Sequence, residues 1–260
     1  QVCLSVSDAK QKYDYINQKY MKVIFQVYLW IIAMPVLLLL TLITAILTLI
    51  LSPVLPNSKL SYFPARWWSK IICLLCFVKV KTNGFDHLDR KQSYIFIANH
   101  QSIFDIFAVY GWFPFIFKWL MKANLRSIPF VGAACAAAGH IFIDRSNPVS
   151  ARKSLLIAEK QLINGNSVFV FPEGTRTTNG AMNKFKRGAF LMASDLHLPV
   201  VPVTLRGSFE RHHKHSLRII PGTITMTIHQ PISPAELEKE KSADIIRKTW
   251  DIINNTLTIS

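Results

Sequence analysis

The chain has 260 residues, half of them hydrophobic, with 30 Lys and Arg against 15 Asp and Glu for a formal net charge of +15. That length and apolar content suffice for one large domain, or a domain with an appendage, and exclude a disordered chain, which pairs low hydrophobicity with high charge. Four Cys are too few for a disulfide scaffold, and abundant apolar surface combined with positive charge suits a protein that sits on an anionic surface and partly enters it.

Val23 to Leu51 runs 29 residues without a charge. As a helix it measures roughly 43 Å, against a hydrocarbon core of about 30 Å. It is long enough to span with tilt, to break near Pro35 where a backbone donor is lost, or to form a re-entrant pair. The apolar region of a signal peptide is shorter, about 7–15 residues, and Ser52-Pro53 is a poor cleavage site. A second apolar stretch, Trp67 to Val80, follows a Pro-containing link, and its two Trp with Arg66 and Lys70 read as interfacial anchors. Lys10, Lys12, Lys19 and Lys22 precede the long run and Lys59, Arg66 and Lys70 follow it, so flanking charge sets no orientation. A helical hairpin in one leaflet satisfies both flanks and is preferred to a span. The chain opens with Gln, and Met21-Lys22 reads as a natural start with the first 20 residues upstream of it.

Beyond residue 84 short β-rich runs alternate with helical patterns. Strands are expected at Tyr94–Ala98, His140–Ile143, Val168–Phe171, Val200–Leu205 and Thr223–His229, and helices at Ile103–Tyr110, Ala151–Asn164 and Arg187–Leu196. A charged amphipathic helix is expected over Pro234–Thr256. Alternation of this kind predicts an α/β domain: a largely parallel central sheet flanked by helices, preceded by an N-terminal membrane-associated helical segment. The expected division is 1–80 for the anchoring helices and 81–260 for the α/β domain. No internal repeat is visible.

In such sheets the chemistry lies in loops after the strands' carboxyl ends. The first is Asn99-His100-Gln101-Ser102, leading into a helix. Ser102 and Asp105 have capping-box spacing, which explains Asp105 as a helix-start residue. A chemical reading is equally available: Asp105 reaches back to the His100 imidazole, fixes its tautomer and stabilises the imidazolium as His100 takes a proton from a hydroxyl. Without a neighbouring nucleophile or G-x-S-x-G pattern, such a pair suggests direct transfer to an acceptor. The second loop is Phe171-Pro172-Glu173-Gly174-Thr175-Arg176. It reads either as a tight turn with a surface Arg–Glu pair or as a phosphate site, with the Arg176 fork assisted by Thr175 and backbone donors. Lys184, Lys186 and Arg187 follow closely and strengthen the second possibility.

Other groups read as structural. Cys73 and Cys76 lie one helical turn apart in an apolar stretch and read as a buried pair; Cys3 and Cys135 are expected to be unpaired. Arg211-His212-His213-Lys214-His215 lacks a Cys or carboxylate at ligand spacing, and its cations oppose a metal. The Ala-rich segment around Cys135 reads as a small-residue helix packed beside the sheet.

Asn99-His100-x-x-x-x-Asp105 resembles the signature of the glycerolipid acyltransferase family, typified by 1-acyl-sn-glycerol-3-phosphate acyltransferases. The other family blocks follow in order: Gly139-His140-Ile141-Phe142-Ile143-Asp144-Arg145, then Phe171 to Arg176, then Val201-Pro202-Val203, with Phe185-Lys186-Arg187-Gly188 between the last two. The resemblance runs from about residue 60 to 230. It implies acyl transfer from a thioester, either acyl-CoA or an acyl-carrier protein, to the sn-2 hydroxyl of lysophosphatidate, giving phosphatidate. It further implies His100 as general base, Asp105 as its orienting partner, and Phe171, Pro172, Glu173, Gly174, Thr175 and Arg176 around the acceptor, with Arg176 on its phosphate. Arg145 is expected near the same substrate. Lys122 matches a phosphate-contacting Lys of the family, although Ala123-Asn124 replace the usual Lys-Glu, and Lys118 competes for the role. No metal or redox cofactor is expected, and the expected partners are the acceptor, the thioester donor and anionic membrane lipid, with no nucleic acid. The catalytic domain is expected on the cytoplasmic face. Other acceptors within the superfamily, such as glycerol 3-phosphate, another lysophospholipid or an aminolipid, are the main alternative; a non-enzymatic basic scaffold is a distant one.

Overall fold

The apolar N-terminal run becomes helix because nothing in it competes with the intrahelical hydrogen bonds. A computed structural model describes residues 6–144, 162 and 166–258, which fall into two compact units, Gln1–Leu39 and Leu40–Ser260. Helix α1 (Val6–Tyr28) is followed by a π-helical turn at Leu29–Ala33 and helix α2 (Met34–Val54). The π turn ends just before Pro35, whose missing N–H and ring are accommodated by a local change of hydrogen-bond register. Asp14–Val54 is long and apolar enough to cross a membrane by length and composition.

In the second unit, α3 (Lys59–Leu75) starts at a Ser58 cap whose side chain accepts from Ser61 N. It packs on α4 (Phe104–Trp112) through Trp68 against Phe107, ring centroids 5.2 Å apart, and Tyr62 against Tyr110 at 5.6 Å. Trp68 Nε1 also donates to Thr41 on α2, at 2.9 Å. Cys73 and Cys76 are buried and free, and burial pushes their thiols up to about 12 and about 11, so they are packing groups. Cys135 is free as well, while Cys3 lies outside the described residues.

Among the described residues seven strands form one sheet: β1 (Val78–Asn83), β2 (Ile95–Ala98), β3 (Phe117–Lys122), β4 (Ile141–Ile143), β5 (Ser167–Val170), β6 (Val200–Arg206) and β7 (Gly222–Ile228), in the order β1-β7-β6-β2-β5-β3-β4. β6, β2, β5, β3 and β4 run parallel, as the alternating pattern predicts; β7 is antiparallel to β6, and β1 pairs parallel with β7. Strand alternation gives the sheet two different faces. Phe96, Phe117, Trp119 and Phe169 form an aromatic face with Phe113, Phe115 and α4. Ile95, Ile97, Val168 and Val170 form an aliphatic face covered by α6 (Gly188–Asp195) and the C-terminal helices.

The pattern leaves β1 and β3 unassigned. In β1, Val78 and Val80 alternate with Lys79 and Lys81, the signature of a lysine-guarded edge strand, but it is contiguous with the apolar helix before it. In β3, Lys118 and Lys122 interrupt an aromatic run. The Ala-rich segment does form a helix, α5 (Val131–Ala137). The single helix expected over 234–256 is two: α7 (Pro234–Lys239), closed by a complete Ser233–Glu236 capping box, and α8 (Ser242–Thr258). Glu240 is extended between them, so the chain turns there. Apart from Leu162, the helix expected at Ala151–Asn164 lies outside the described residues, as does the site residue Arg145.

Candidate active site

The loops after β2 and β5 meet at the carboxyl end of the parallel strands. Asn99 closes the β2–β6 ladder with its side chain, accepting from Leu205 N at 2.8 Å and donating to Leu205 O at 2.9 Å, which releases the next residue from the sheet. His100 stands there with its imidazole stacked on Phe171, centroids 4.0 Å apart and planes 9° from parallel. Phe171 in turn stacks on Trp119 at 5.3 Å, so the aromatic face of the sheet ends in the His100 ring.

Asp105 is fully buried in the first turn of α4, where the helix N-terminus favours an anion. Its Oδ2 accepts three hydrogen bonds: from Gln101 N at 2.7 Å, from Ser102 N at 2.8 Å and from His100 Nδ1 at 2.9 Å. Half of the capping box is therefore present. The other half is not: Asp105 N donates to the Ser102 carbonyl, while Ser102 Oγ accepts from Phe104 N at 3.4 Å and donates to His212 O at 2.9 Å. With Nδ1–H facing the carboxylate, Nε2 carries the lone pair, and no hydrogen bond joins it to another described residue. Helix capping and imidazole orientation, posed as alternatives by the sequence, are done by the same oxygen.

Glu173 differs from its expected place against the acceptor. It is 4% exposed, and both oxygens work inside the protein: Oε1 accepts from His100 N at 2.7 Å, Oε2 from Asn183 N and Nδ2 at 2.8 and 2.9 Å. Burial pushes its pKa up, and the bonds from Asn183 and His100 pull it partly back. Further bonds bind the two loops, Thr177 N to His100 O and Gln101 Nε2 to Gly180 O. Gly174 turns the chain at φ +78°, a conformation costly for residues with a Cβ, and its N–H closes onto Phe171 O. Pro172 is buried, and its carbonyl accepts from Lys186 N. Thr175 is exposed and accepts from Lys214 Nζ at 2.9 Å; Arg176 is half-buried.

A cavity of about 610 Å³ opens beside this pair, lined by His100, Phe171 and Gly174 at one place and by Thr44, Tyr62, Trp119 and Ala134 elsewhere. Its wall includes both candidate lysines. Lys118 is buried, donates to Ala138 O at 2.6 Å, and burial lowers its pKa to about 8. Lys122 is exposed at the carboxyl end of β3, the end at which the site loops gather. Nothing in the sequence places Asn183 or the segment around Lys214 at this site; the Arg211–His215 run is visible there only as charge.

An imidazole oriented by a buried carboxylate thus stands beside an apolar cavity at the carboxyl end of a parallel sheet, where α/β proteins place their ligand sites. The sequence profile described as Acyltransferase matches residues 79–206. The chain is 31% identical over 191 residues to the 1-acyl-sn-glycerol-3-phosphate acyltransferase of Limnanthes alba, covering 73% of this chain and 67% of that protein. It is 34% identical over 199 residues to the one of Saccharomyces cerevisiae, covering 75% and 65%, and 31% identical over 198 residues to a chloroplastic one of Arabidopsis thaliana, covering 75% and 55%. The chain thus spans about half to two thirds of the length of these relatives. In fold it is similar to the crystal structure of the 1-acyl-sn-glycerophosphate acyltransferase from Thermotoga maritima, with a TM-score of 0.74, 22% identity, and coverage of 92% of this chain and 95% of that one. The chain belongs to the 1-acyl-sn-glycerol-3-phosphate acyltransferase family of glycerolipid acyltransferases.

Proposed function

We propose that the chain transfers a fatty acyl group from an acyl thioester to the sn-2 hydroxyl of lysophosphatidate, making phosphatidate. The observation that carries this reading is the His100–Asp105 pair with Nε2 left open beside the apolar cavity. The acceptor hydroxyl gives its proton to Nε2 while its oxygen attacks the thioester carbonyl, and Asp105 stabilises the imidazolium. The tetrahedral adduct collapses with cleavage of the C–S bond, and the departing thiolate takes the proton back from Nε2. The N–H groups of Thr175 and Arg176 make no hydrogen bond to another described residue and follow the Gly174 turn, which makes them donors for the developing oxyanion. Arg176 and Lys122 are the cations for the acceptor's phosphate, and the cavity takes an acyl chain.

The thioester is activated already, so orientation, proton removal and charge stabilisation are sufficient chemistry. Both acyl-CoA and acyl-carrier protein fit as donors. The apolar N-terminal helix supports a membrane-bound protein, and the +15 charge supports a catalytic domain that faces anionic lipid on the cytoplasmic side. The test is coenzyme A release from acyl-CoA by wild type and His100→Ala, with and without lysophosphatidate. Release that requires both lysophosphatidate and His100 supports the reaction and its base together. Release unaffected by His100→Ala sinks the mechanism, and release driven instead by glycerol 3-phosphate or another lysophospholipid sinks the acceptor assignment.

A further inference from the structure

Between β6 and β7 the chain makes an ordered excursion, residues 207–221, that carries Arg211, His212, His213, Lys214, His215 and Arg218 against a single acid, Glu210. Two hydrogen bonds tie it to both site loops. Ser102 Oγ, next to the Asp105 carboxylate, donates to His212 O at 2.9 Å, and Lys214 Nζ donates to Thr175 Oγ1 at 2.9 Å. The excursion is braced internally by Arg211 Nη1 on Pro221 O and by His213 stacked on Phe209, centroids 4.3 Å apart. His212 lies beside the Phe104 ring, and burial together with the Arg176 guanidinium keeps its pKa low; Thr175, which Lys214 holds, directly precedes Arg176 in the chain.

The positive charge gathered here is not used up by the fold. Neither Arg176 nor Lys214 forms an ion pair with a carboxylate among the described residues. Ser208 Oγ, Arg211 Nε and His212 Nδ1 are buried without a hydrogen-bond partner among the described residues. Neither Arg176 nor any residue of 207–221 is among the residues that line the cavity.

We infer that Lys214, held on Thr175 by the β6–β7 excursion, completes with Arg176 a phosphate-binding site at the second site loop. The chemistry suits a phosphate ester. The Arg176 fork and the Lys214 ammonium supply two cations, and because Lys214 donates to Thr175 Oγ1, the Thr175 hydroxyl proton is free to point at a phosphate oxygen. The inference rests on the acyl-transfer reading, under which two substrates bring phosphate to this region: the lysophosphatidate headgroup and the phosphates of coenzyme A.

The full chain in detergent, as wild type, Lys214→Met and Lys214→Arg, separates the sources. The KM for lysophosphatidate, the KM for acyl-CoA and kcat are measured together with the protection that coenzyme A or lysophosphatidate gives against thermal unfolding. Lys214→Met is expected to raise one of the two KM values ten-fold or more with kcat within two-fold, and Lys214→Arg to restore most of it. A raised KM for lysophosphatidate assigns the site to the headgroup; a raised KM for acyl-CoA assigns it to the coenzyme. Two unchanged KM values, or a fall in kcat alone, overturn the site while leaving acyl transfer intact. Ligand protection that depends on Lys214 in a protein that transfers no acyl group supports the site and overturns the functional reading.

Discussion

The main-chain N–H of His100 donates to Glu173 Oε1 at 2.7 Å, so a carboxylate from the second loop holds the backbone of the imidazole in the first. The same carboxylate holds Asn183 through two more bonds, making it the junction of three segments. Glu173→Ala leaves two backbone donors without an acceptor, and each such buried group costs about 1–3 kcal/mol. The variant is expected to melt several degrees lower and to lose kcat by at least ten-fold, with the KM for lysophosphatidate little changed. Glu173→Gln, which keeps an oxygen for His100 N, is expected to fall between. A Glu173→Ala effect confined to KM would return the residue to the acceptor site.

Asp105→Asn isolates orientation from packing. The side chain keeps its shape, but one amide oxygen cannot replace a carboxylate oxygen that accepts three hydrogen bonds and faces Nδ1–H. Loss of the fixed tautomer and of imidazolium stabilisation predicts a drop in kcat of about three orders of magnitude or more. Membrane binding and circular dichroism are expected to match wild type. A kcat within ten-fold of wild type would mean that Asp105 only caps α4.

Much of this was legible in the residues because it is local or periodic. The His100–Asp105 contact spans one helix start, and the strands around it read as short apolar runs. What escaped is long-range. Glu173 looks like a ligand group in a polar turn, and only the fold reveals His100 N and Asn183 on either side of it. Lys118 hides β3 because a buried lysine is costly, and its cost is met by the Ala138 carbonyl, twenty residues away. The Arg211–His215 run shows its charge in the sequence but not its proximity to Thr175, which depends on where β6 and β7 end.

The cavity predicts a change in chain preference. Ala134 is buried and lines it from α5. Ala134→Phe inserts a ring into that space and is expected to lower kcat/KM for long acyl donors at least ten-fold relative to short ones, with the short-chain rate near wild type. Equal losses at all chain lengths would show that the acyl chain does not occupy this cavity.

Two buried bases beneath the cavity give stability a pH dependence of calculable sign. Trp119 N–H donates to His140 Nδ1, so the neutral ring offers its Nε2–H to Tyr110 Oη; burial, with Lys118 next, lowers the His140 pKa from 6.5 to about 3. Between those values the unfolded chain binds the proton and the folded chain does not, so stability falls as pH drops from 6.5 towards 3. Lys118, lowered by burial from 10.5 to about 8, behaves in the same sense at higher pH: the unfolded chain alone is protonated between 8 and 10.5, and stability rises across that window. Denaturant midpoints of the full chain in detergent, measured against pH, check both. His140→Gln is expected to flatten the acid slope, and Lys118→Met the alkaline one. An acid slope that survives His140→Gln would assign it to the carboxylates instead, and an alkaline slope that survives Lys118→Met would mean that this lysine is already neutral or well hydrated in the folded protein.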